Sequence, residues 1–284
     1  MRSVKFFVAA GAASLLSSMA SAADMAIAPP PMSYAPPPVA DFGGWYLRGD
    51  IGFSNQSVNN LSINDPRLLA GVVPGTQTQS TGFDTGGIFG VGAGYQFNNW
   101  FRVDVTGQYR GKSNFKGTDL FQTFDVGGPA PEVDNYNASK SELLFLANAY
   151  VDLGTWWCVT PFIGAGIGTS RVTISNFTDA GNIPLGFPNG GPSFATAATG
   201  SKWNFAWAAH AGLAYKVTPN MTVELAYSYV NLGDGVTGGS AALGGPQTPF
   251  VFNFHNITSN DLTLGVRWNL WSPPAYAPPL VTKG

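Results

Sequence analysis

The sequence predicts an all-β fold: an eight-stranded antiparallel transmembrane β-barrel with short periplasmic turns and long extracellular loops. Three observations lead to this prediction. Eight segments alternate apolar with polar residues, and each is close to the length of about 9 to 11 residues that a tilted strand needs to cross a bilayer. Charged residues make up only 11% of the 284 residues, whereas aromatic residues make up 13% and glycine occurs 36 times. After the N-terminal region, no apolar run reaches the roughly 18 residues of a membrane-spanning helix.

The first three segments begin a meander of strands. Trp45–Phe53 has apolar residues at most odd positions, with Arg48 and Asp50 on the opposite face. Phe89–Phe97 alternates aromatic or aliphatic residues with glycine, and Phe101–Arg110 follows after an Asn-Asn turn. The last two segments therefore predict a hairpin.

Five further segments repeat the alternation. They are Glu142–Asp152, Pro161–Thr169, Trp203–Lys216, Met221–Tyr229 and Asp261–Leu270. Leu144 and Leu146 blur the start of the first of them, because both would fall on the polar face. Within these stretches the apolar faces carry no charge, and Arg171 lies just beyond the fifth strand, where it can reach the membrane interface.

The connections alternate in length, which is typical of an outer-membrane barrel. Short links fall at 98–100, 154–159 and 218–220, and long ones at 55–84, 113–138, 176–201 and 233–254. An even number of strands places both chain ends on the short-turn, periplasmic side. Six tryptophans near that side predict an interfacial aromatic girdle: Trp45, Trp100, Trp156, Trp157, Trp268 and Trp271. A soluble, lipocalin-like barrel would reverse the two faces, and the girdle and low charge favour the membrane.

The chain ends suggest export. Residues 1–23 combine Arg2 and Lys5 with a short apolar stretch and small residues, which indicates a cleaved signal peptide; an N-terminal membrane anchor is the alternative. The predicted organisation is a signal peptide (1–23), a Pro-rich periplasmic leader (24–42), an outer-membrane β-barrel (43–271) and a Pro-rich C-terminal tail (272–284). We therefore expect the protein in the outer membrane of a Gram-negative bacterium.

The polar face of the strands predicts a charged lumen. It holds Arg48, Asp50, Arg102, Asp104, Arg110, Glu142, Asp152, His210, Lys216, Glu224, Asp261 and Arg267. Side chains fill the interior of an eight-stranded barrel, so these groups should pair in an interlocked salt-bridge core. The alternative is a small porin with an ion-selective constriction.

Chemistry in the lumen has little support. His210 and Ser228 face it on neighbouring strands with Glu224 nearby along the chain, which resembles a nucleophile, base and orienting acid. Nothing in the sequence positions a substrate or an oxyanion hole, so a lipid-modifying enzyme is the least favoured reading and no catalytic residue is assigned. The single Cys158 and only two histidines speak against a disulfide or a metal site, and we expect no cofactor. A pI near 5.6 without a basic block speaks against nucleic acid.

Several motifs resemble one family. Gly44–Phe53 after a Pro-rich leader, Gly90–Phe97 followed by Asn-Asn-Trp, Thr160–Gly168 and Leu262–Trp268 resemble the alphaproteobacterial outer-membrane β-barrel proteins, which include the rhizobial and Brucella-type outer-membrane immunogenic proteins. The resemblance implies a structural surface antigen with exposed loops, a role in envelope integrity and sometimes weak porin behaviour. The implied partners are outer-membrane lipid, lipopolysaccharide and the barrel-insertion machinery, with host or envelope partners reached through loops or Pro-rich tails. Such barrels usually end on an aromatic residue, whereas this sequence ends in Val281–Gly284.

Overall fold

The computed structural model describes residues 43–125, 127–186 and 190–271, so the predicted signal peptide, leader and C-terminal tail lie outside the described residues. The strands are β1 (Gly44–Ser57), β2 (Asn60–Ile63), β3 (Thr78–Phe83), β4 (Gly86–Gln96), β5 (Phe101–Asp125), β6 (Gly128–Asp152), β7 (Val159–Ile183), β8 (Gly191–Ala197), β9 (Gly200–Lys216), β10 (Met221–Val236), β11 (Ser240–Ala242) and β12 (Phe252–Asn269); a short helix, α1, spans Pro66–Gly71. No helix in this described part is long and apolar enough to cross a membrane.

Eight of the strands close into an antiparallel ring in the order β1, β4, β5, β6, β7, β9, β10, β12. Closure is continuous in register: Ile51 on β1 lies between Phe89 on β4 and Leu264 on β12. Each of the eight predicted segments forms part of one of these strands, so the predicted fold class is confirmed. Tight turns connect the strands at the periplasmic end, after Gln96, Asp152 and Lys216.

The predicted long loops are partly wrong, because much of 113–138 and 176–201 is ordered strand. β5 and β6 pair without a break from Ser113 and Lys140 up to a tight turn at Asp125 and Gly128. β7 and β8 form a second hairpin on the other side of β6. Their Gly, Ser, Thr and Asn residues gave turn signals, but apolar side chains that alternate with them pack inward and hold the strands. We call the segments 113–138 and 175–197 the outer hairpins.

The two faces of the wall have the polarity of a membrane barrel rather than a lipocalin-like one. Arg102, Asp104 and Glu224 are buried inside, whereas the outward side chains of β1 and its neighbours are large, apolar and exposed. A closed ring also satisfies every interstrand backbone group, as hydrocarbon requires.

The glycine-rich stretches of β4 and β7 make room inside this crowded barrel. A Cβ on Gly92 would lie 2.8 Å from the Val105 carbonyl oxygen and 3.1 Å from Cγ of Arg48. A Cβ on Gly164 would lie 2.8 Å from the Ala149 carbonyl oxygen and also meet the ring of Tyr150. Glycine here creates space for large lumen side chains on the neighbouring strands.

Candidate functional site

The barrel interior near the periplasmic end contains a cluster of buried charges, which we call the lower network. Its members are Arg48, Asp50, Arg102, Asp104, Asp152, Glu224 and Arg267. Arg48 donates to Asp50 at 2.8 Å and to Asp104 at 2.9 Å, and the Arg102 Nε donates to Asp152 at 3.2 Å. The Arg48–Asp50 pair lies within β1, the Arg102–Asp152 pair joins the neighbouring strands β5 and β6, and the Arg48–Asp104 pair joins β1 to β5.

Glu224 on β10 lies at the centre of the lower network. Its Oε1 is 3.3 Å from Arg102 Nη1 and 3.5 Å from Arg267 Nε, and its Oε2 is 3.8 Å from Arg48 Nη2. One carboxylate is thus shared by three guanidinium groups that belong to three other strands. The neighbouring Arg102 guanidinium also stacks on Tyr150, 4.3 Å from the ring centroid.

A second charged layer lies further toward the extracellular end. The Arg110 Nη1 donates to Asp261 Oδ1 at 3.0 Å, which joins β5 to β12 across the lumen. Lys140 forms an ion pair with Glu142, and Gln56 donates to the same carboxylate at 3.1 Å. Lys140 was not predicted to face the lumen, because the predicted strand begins only at Glu142. Residues 140 and 142 are two apart and therefore lie on the same face of a strand, which would have indicated the position of Lys140.

Beside and above the second charged layer lies an apolar cluster that the sequence did not predict. Its members, which we call the apolar plug, are Val58, Leu61, Phe115, Tyr136, Ala138, Leu144, Leu146, Val172, Ile174, Phe177, Ala206, Ala208, Val230, Leu232, Phe252, Phe254 and Ile257. Phe254 packs edge-on against Phe115 at 4.9 Å, and Phe177 lies 4.2 Å from Phe252 between ring centroids. Strands from around the ring therefore meet in the middle and fill it.

His210 and Ser228 do meet in the lumen, with Nδ1 2.7 Å from Oγ. The other ring nitrogen is 3.2 Å from Asn148 Oδ1, and Asn148 donates its own amide to Asp104. Asn148 Oδ1 therefore accepts, which places the proton on Nε2 and makes Ser228 the donor to Nδ1. Asn148, and not Glu224, orients the imidazole, because Glu224 is held among the arginines. The adjoining cavity measures about 20 Å³, close to the space of a single water.

Two other groups of predicted residues lie at the periplasmic end. Lys216 was predicted to belong to the buried lumen charges, but its side chain is exposed to water at the end of β9. The predicted girdle tryptophans are all exposed at this end: Trp45, Trp100, Trp156, Trp157, Trp268 and Trp271. Tyr46 was not predicted to be a lumen residue, but it is completely buried and its hydroxyl lies 3.2 Å from Asp104.

The inner face of the outer hairpins carries an acidic cluster of Asp119, Glu132, Asp134 and Asp179. Asp119 and Asp134 stand directly opposite each other on β5 and β6. Burial first, and then the neighbouring carboxylates, raise the pKa of Glu132 to about 7 and that of Asp179 to about 8. Burial likewise raises the pKa of Asp134 to about 6, although the Tyr136 hydroxyl donates to it. Within the described residues, no group of three acidic, histidine or cysteine side chains is arranged to hold a metal ion.

A closed ring with an apolar exterior and a charged interior defines an integral β-barrel of the Gram-negative outer membrane. The family model described as "Outer membrane protein beta-barrel domain" matches residues 9–269. The chain therefore belongs to this outer-membrane β-barrel family, and the resemblance found in the sequence is confirmed.

Relatives of known sequence agree with this assignment. An uncharacterized protein of Brucella suis biovar 1 (strain 1330) is 31% identical over 235 residues, 77% of this chain and 78% of that protein. Outer membrane protein PagN of Salmonella typhimurium (strain LT2) is 30% identical over 231 residues, 79% of this chain and 89% of PagN. A putative adhesin of Rickettsia bellii (strain RML369-C) is 26% identical over 244 residues, 81% and 91% of the two chains. Among solved structures, Neisserial surface protein A aligns with a TM-score of 0.41 at 18% identity, covering 80% of this chain and 97% of that one.

Proposed function

We propose that the protein is a non-conducting, non-enzymatic structural barrel that anchors an extracellular β-sheet surface in the outer membrane. The observation that carries this proposal is the filled interior. Below, the lower network spans the lumen with ion pairs; above, the apolar plug joins side chains from opposite walls. An apolar segment of this kind excludes hydrated ions, and an ion-paired lumen offers them no free ligand groups.

The packing around Ser228 and His210 supports the non-enzymatic part of this proposal. Ser228 and His210 have the spacing of a nucleophile and base, but the cavity beside them is too small for a lipid or a peptide. The pair also lies within the ion-paired lumen, and His210 is joined through Asn148 to Asp104. We infer that it serves packing.

Recording from single molecules in a planar lipid bilayer tests the proposal. Folding and insertion are verified first by heat-modifiable migration on gel electrophoresis, so that an absence of conductance steps cannot be due to missing protein. Wild-type protein should give no reproducible conductance steps. The triple variant Phe115→Ala, Phe177→Ala and Phe254→Ala removes the central rings of the plug and is recorded beside it. Reproducible steps from inserted wild-type protein would overturn the proposal.

Adhesion is a second candidate function, favoured by what the outer surface displays. Leu185 and Leu243, near the tips of the extracellular segments, are 86% and 80% exposed, and Phe124 at the β5–β6 turn is also exposed. Large apolar side chains exposed at protruding tips are available for contact with a partner surface. Two relatives named putative adhesins also support an adhesive role.

Adhesion can be measured by displaying the protein on a non-adherent Gram-negative host and counting the cells that bind a cultured epithelial layer. The double variant Leu185→Ser and Leu243→Ser should lose binding. Trp157→Ser removes an equally exposed apolar side chain at the periplasmic end and is the matched control. Equal binding by the double variant and wild type would contradict an adhesive role for these tips.

A further inference from the structure

Charges in the extracellular wall formed by β5, β6 and β7 are sorted by face. The four carboxylates of the acidic cluster point inward, and Asp119 is only 2% exposed. The cations Lys112, Lys116 and Arg171 are exposed, while Phe115 and Val172 beside them are buried. The outer face of this wall is therefore basic, and we call these three residues the basic belt.

The basic belt begins where the wall leaves the hydrocarbon. Arg171 stands opposite Leu143 on β6 and Trp203 on β9, and both Trp203 and the outward Tyr109 on β5 are exposed aromatic residues of the kind found at interfaces. Lys112 lies three residues beyond Tyr109 and Lys116 seven, which corresponds to roughly 10 and 23 Å along a strand. Arg171 is two strands away from them, about 10 Å sideways.

These three cations have no ion-pair partner among the described residues. None of the three makes an ion pair with a residue that the structure describes, in contrast to Lys202, which bonds Asp234 at 2.9 Å. The carboxylate of Asp84 accepts a hydrogen bond from Asn114, which lies between Lys112 and Lys116 on β5. Three unpaired cations at the outer membrane surface thus face whatever anions that surface supplies.

We infer that the basic belt binds the phosphorylated head group of lipopolysaccharide in the outer leaflet. Phosphate is the anion at the level of Arg171, and phosphate and carboxylate groups of the saccharide core lie above it at the level of the lysines. A guanidinium and two ammonium groups spread over about 13 to 25 Å suit several anionic groups of one large head group better than one free phosphate ion. The inference requires only the membrane location and is independent of whether the lumen conducts.

Lipid binding by the refolded barrel tests the inference. Protein in lipopolysaccharide-free detergent micelles is titrated with rough lipopolysaccharide, whose lipid A and saccharide core both carry phosphate, with the same lipopolysaccharide after removal of its phosphates, and with inorganic phosphate. Tryptophan fluorescence reports binding, because Trp203 adjoins Arg171. The variant Lys112→Gln, Lys116→Gln, Arg171→Gln should bind the phosphorylated lipopolysaccharide about a hundredfold more weakly, since each basic residue at an anionic surface contributes roughly fivefold.

Two further variants make the result decisive. Lys216→Gln removes an exposed cation at the opposite end of the barrel and should bind as wild type does. The charge-conserving variant Lys112→Arg, Lys116→Arg, Arg171→Lys should retain most of the affinity. All variants must show heat-modifiable migration, which establishes the folded barrel. Equal binding of lipopolysaccharide with and without its phosphates, competition by inorganic phosphate at millimolar concentration, or equal loss in Lys216→Gln would overturn the inference.

Discussion

Replacing Glu224 with glutamine tests how the charged lumen is held together. The substitution keeps the shape of the side chain but removes the carboxylate shared by Arg48, Arg102 and Arg267. Arg48 keeps Asp50 and Asp104, and Arg102 keeps Asp152. Arg267, in contrast, has Glu224 as its ion-pair partner among the described residues. The variant therefore leaves mainly one buried guanidinium without a counter-charge.

Breaking a buried ion pair in this way should lower the free energy of unfolding by about 3 to 5 kcal/mol. Adding Arg267→Met removes the stranded charge, and each remaining arginine of the lower network then still faces a carboxylate. The double variant should recover to within about 1 to 2 kcal/mol of wild type, because replacing both members of a buried pair is often nearly neutral. Lys202→Gln breaks an exposed pair and should cost less than about 1 kcal/mol.

The assay is equilibrium unfolding by urea of protein inserted in lipid vesicles, followed by heat-modifiable migration and tryptophan fluorescence. The coupling free energy between Glu224 and Arg267 comes from the four members of the double-mutant cycle. The reasoning fails if Glu224→Gln costs no more than Lys202→Gln. It also fails if Arg267→Met does not rescue the glutamine variant.

Three other predictions follow from the packing and the charges. Burial and mutual repulsion raise the pKa values of Glu132, Asp134 and Asp179. The extra stability of the outer hairpins is therefore present below about pH 4 and is lost as the pH rises through 6 to 8. Hydrogen exchange corrected for intrinsic rate should show this loss, and Asp179→Asn should make the stability of the hairpins less dependent on pH. Gly168→Ala places a methyl group against the Phe145 carbonyl and should cost about 1 to 3 kcal/mol of unfolding free energy. A Cβ on Gly49 has its nearest neighbour at 4.0 Å, so Gly49→Ala should change the unfolding free energy by less than about 1 kcal/mol. Equal effects of the two substitutions would contradict this account of the packing. Phe254→Ala should cost about 3 to 5 kcal/mol in urea unfolding, because Phe254 is fully buried against Phe115 and Phe177, and an effect below 1 kcal/mol would show that the plug is loosely packed.

Sequence periodicity predicted the strands wherever the two faces differ in polarity. On β1, Arg48 and Asp50 alternate with exposed apolar residues, and the strand was identified directly. On β6, Leu144 and Leu146 point into the apolar plug while Leu143 and Phe145 point outward, so both faces are apolar and the period of two disappears. The plug was missed for that reason.

Bulges account for the rest of what the sequence did not predict. The register of β5 against β6 shifts between Arg110 and Ser113, so the inward positions change from even to odd numbers. Arg110 and Phe115 are both completely buried, although their parities differ. A count continued from the membrane segment would put Phe115 outside. Parity cannot be carried across such a shift, and the Gly, Ser, Thr and Asn residues of the outer hairpins, which predict loops, further hide their strands.

The order of layers inside the barrel bears on where its function lies. Ion pairs in the lower network are weakened by water, and the apolar plug separates them from the extracellular side. Lys140 lies at the boundary, paired with Glu142 and 4.4 Å from the ring centroid of Phe83. A substitution in either layer would thus disturb the other, which agrees with the structural role proposed for both. The basic belt and the exposed tips belong to neither layer, so the proposed recognition of lipid and host surfaces is assigned to them.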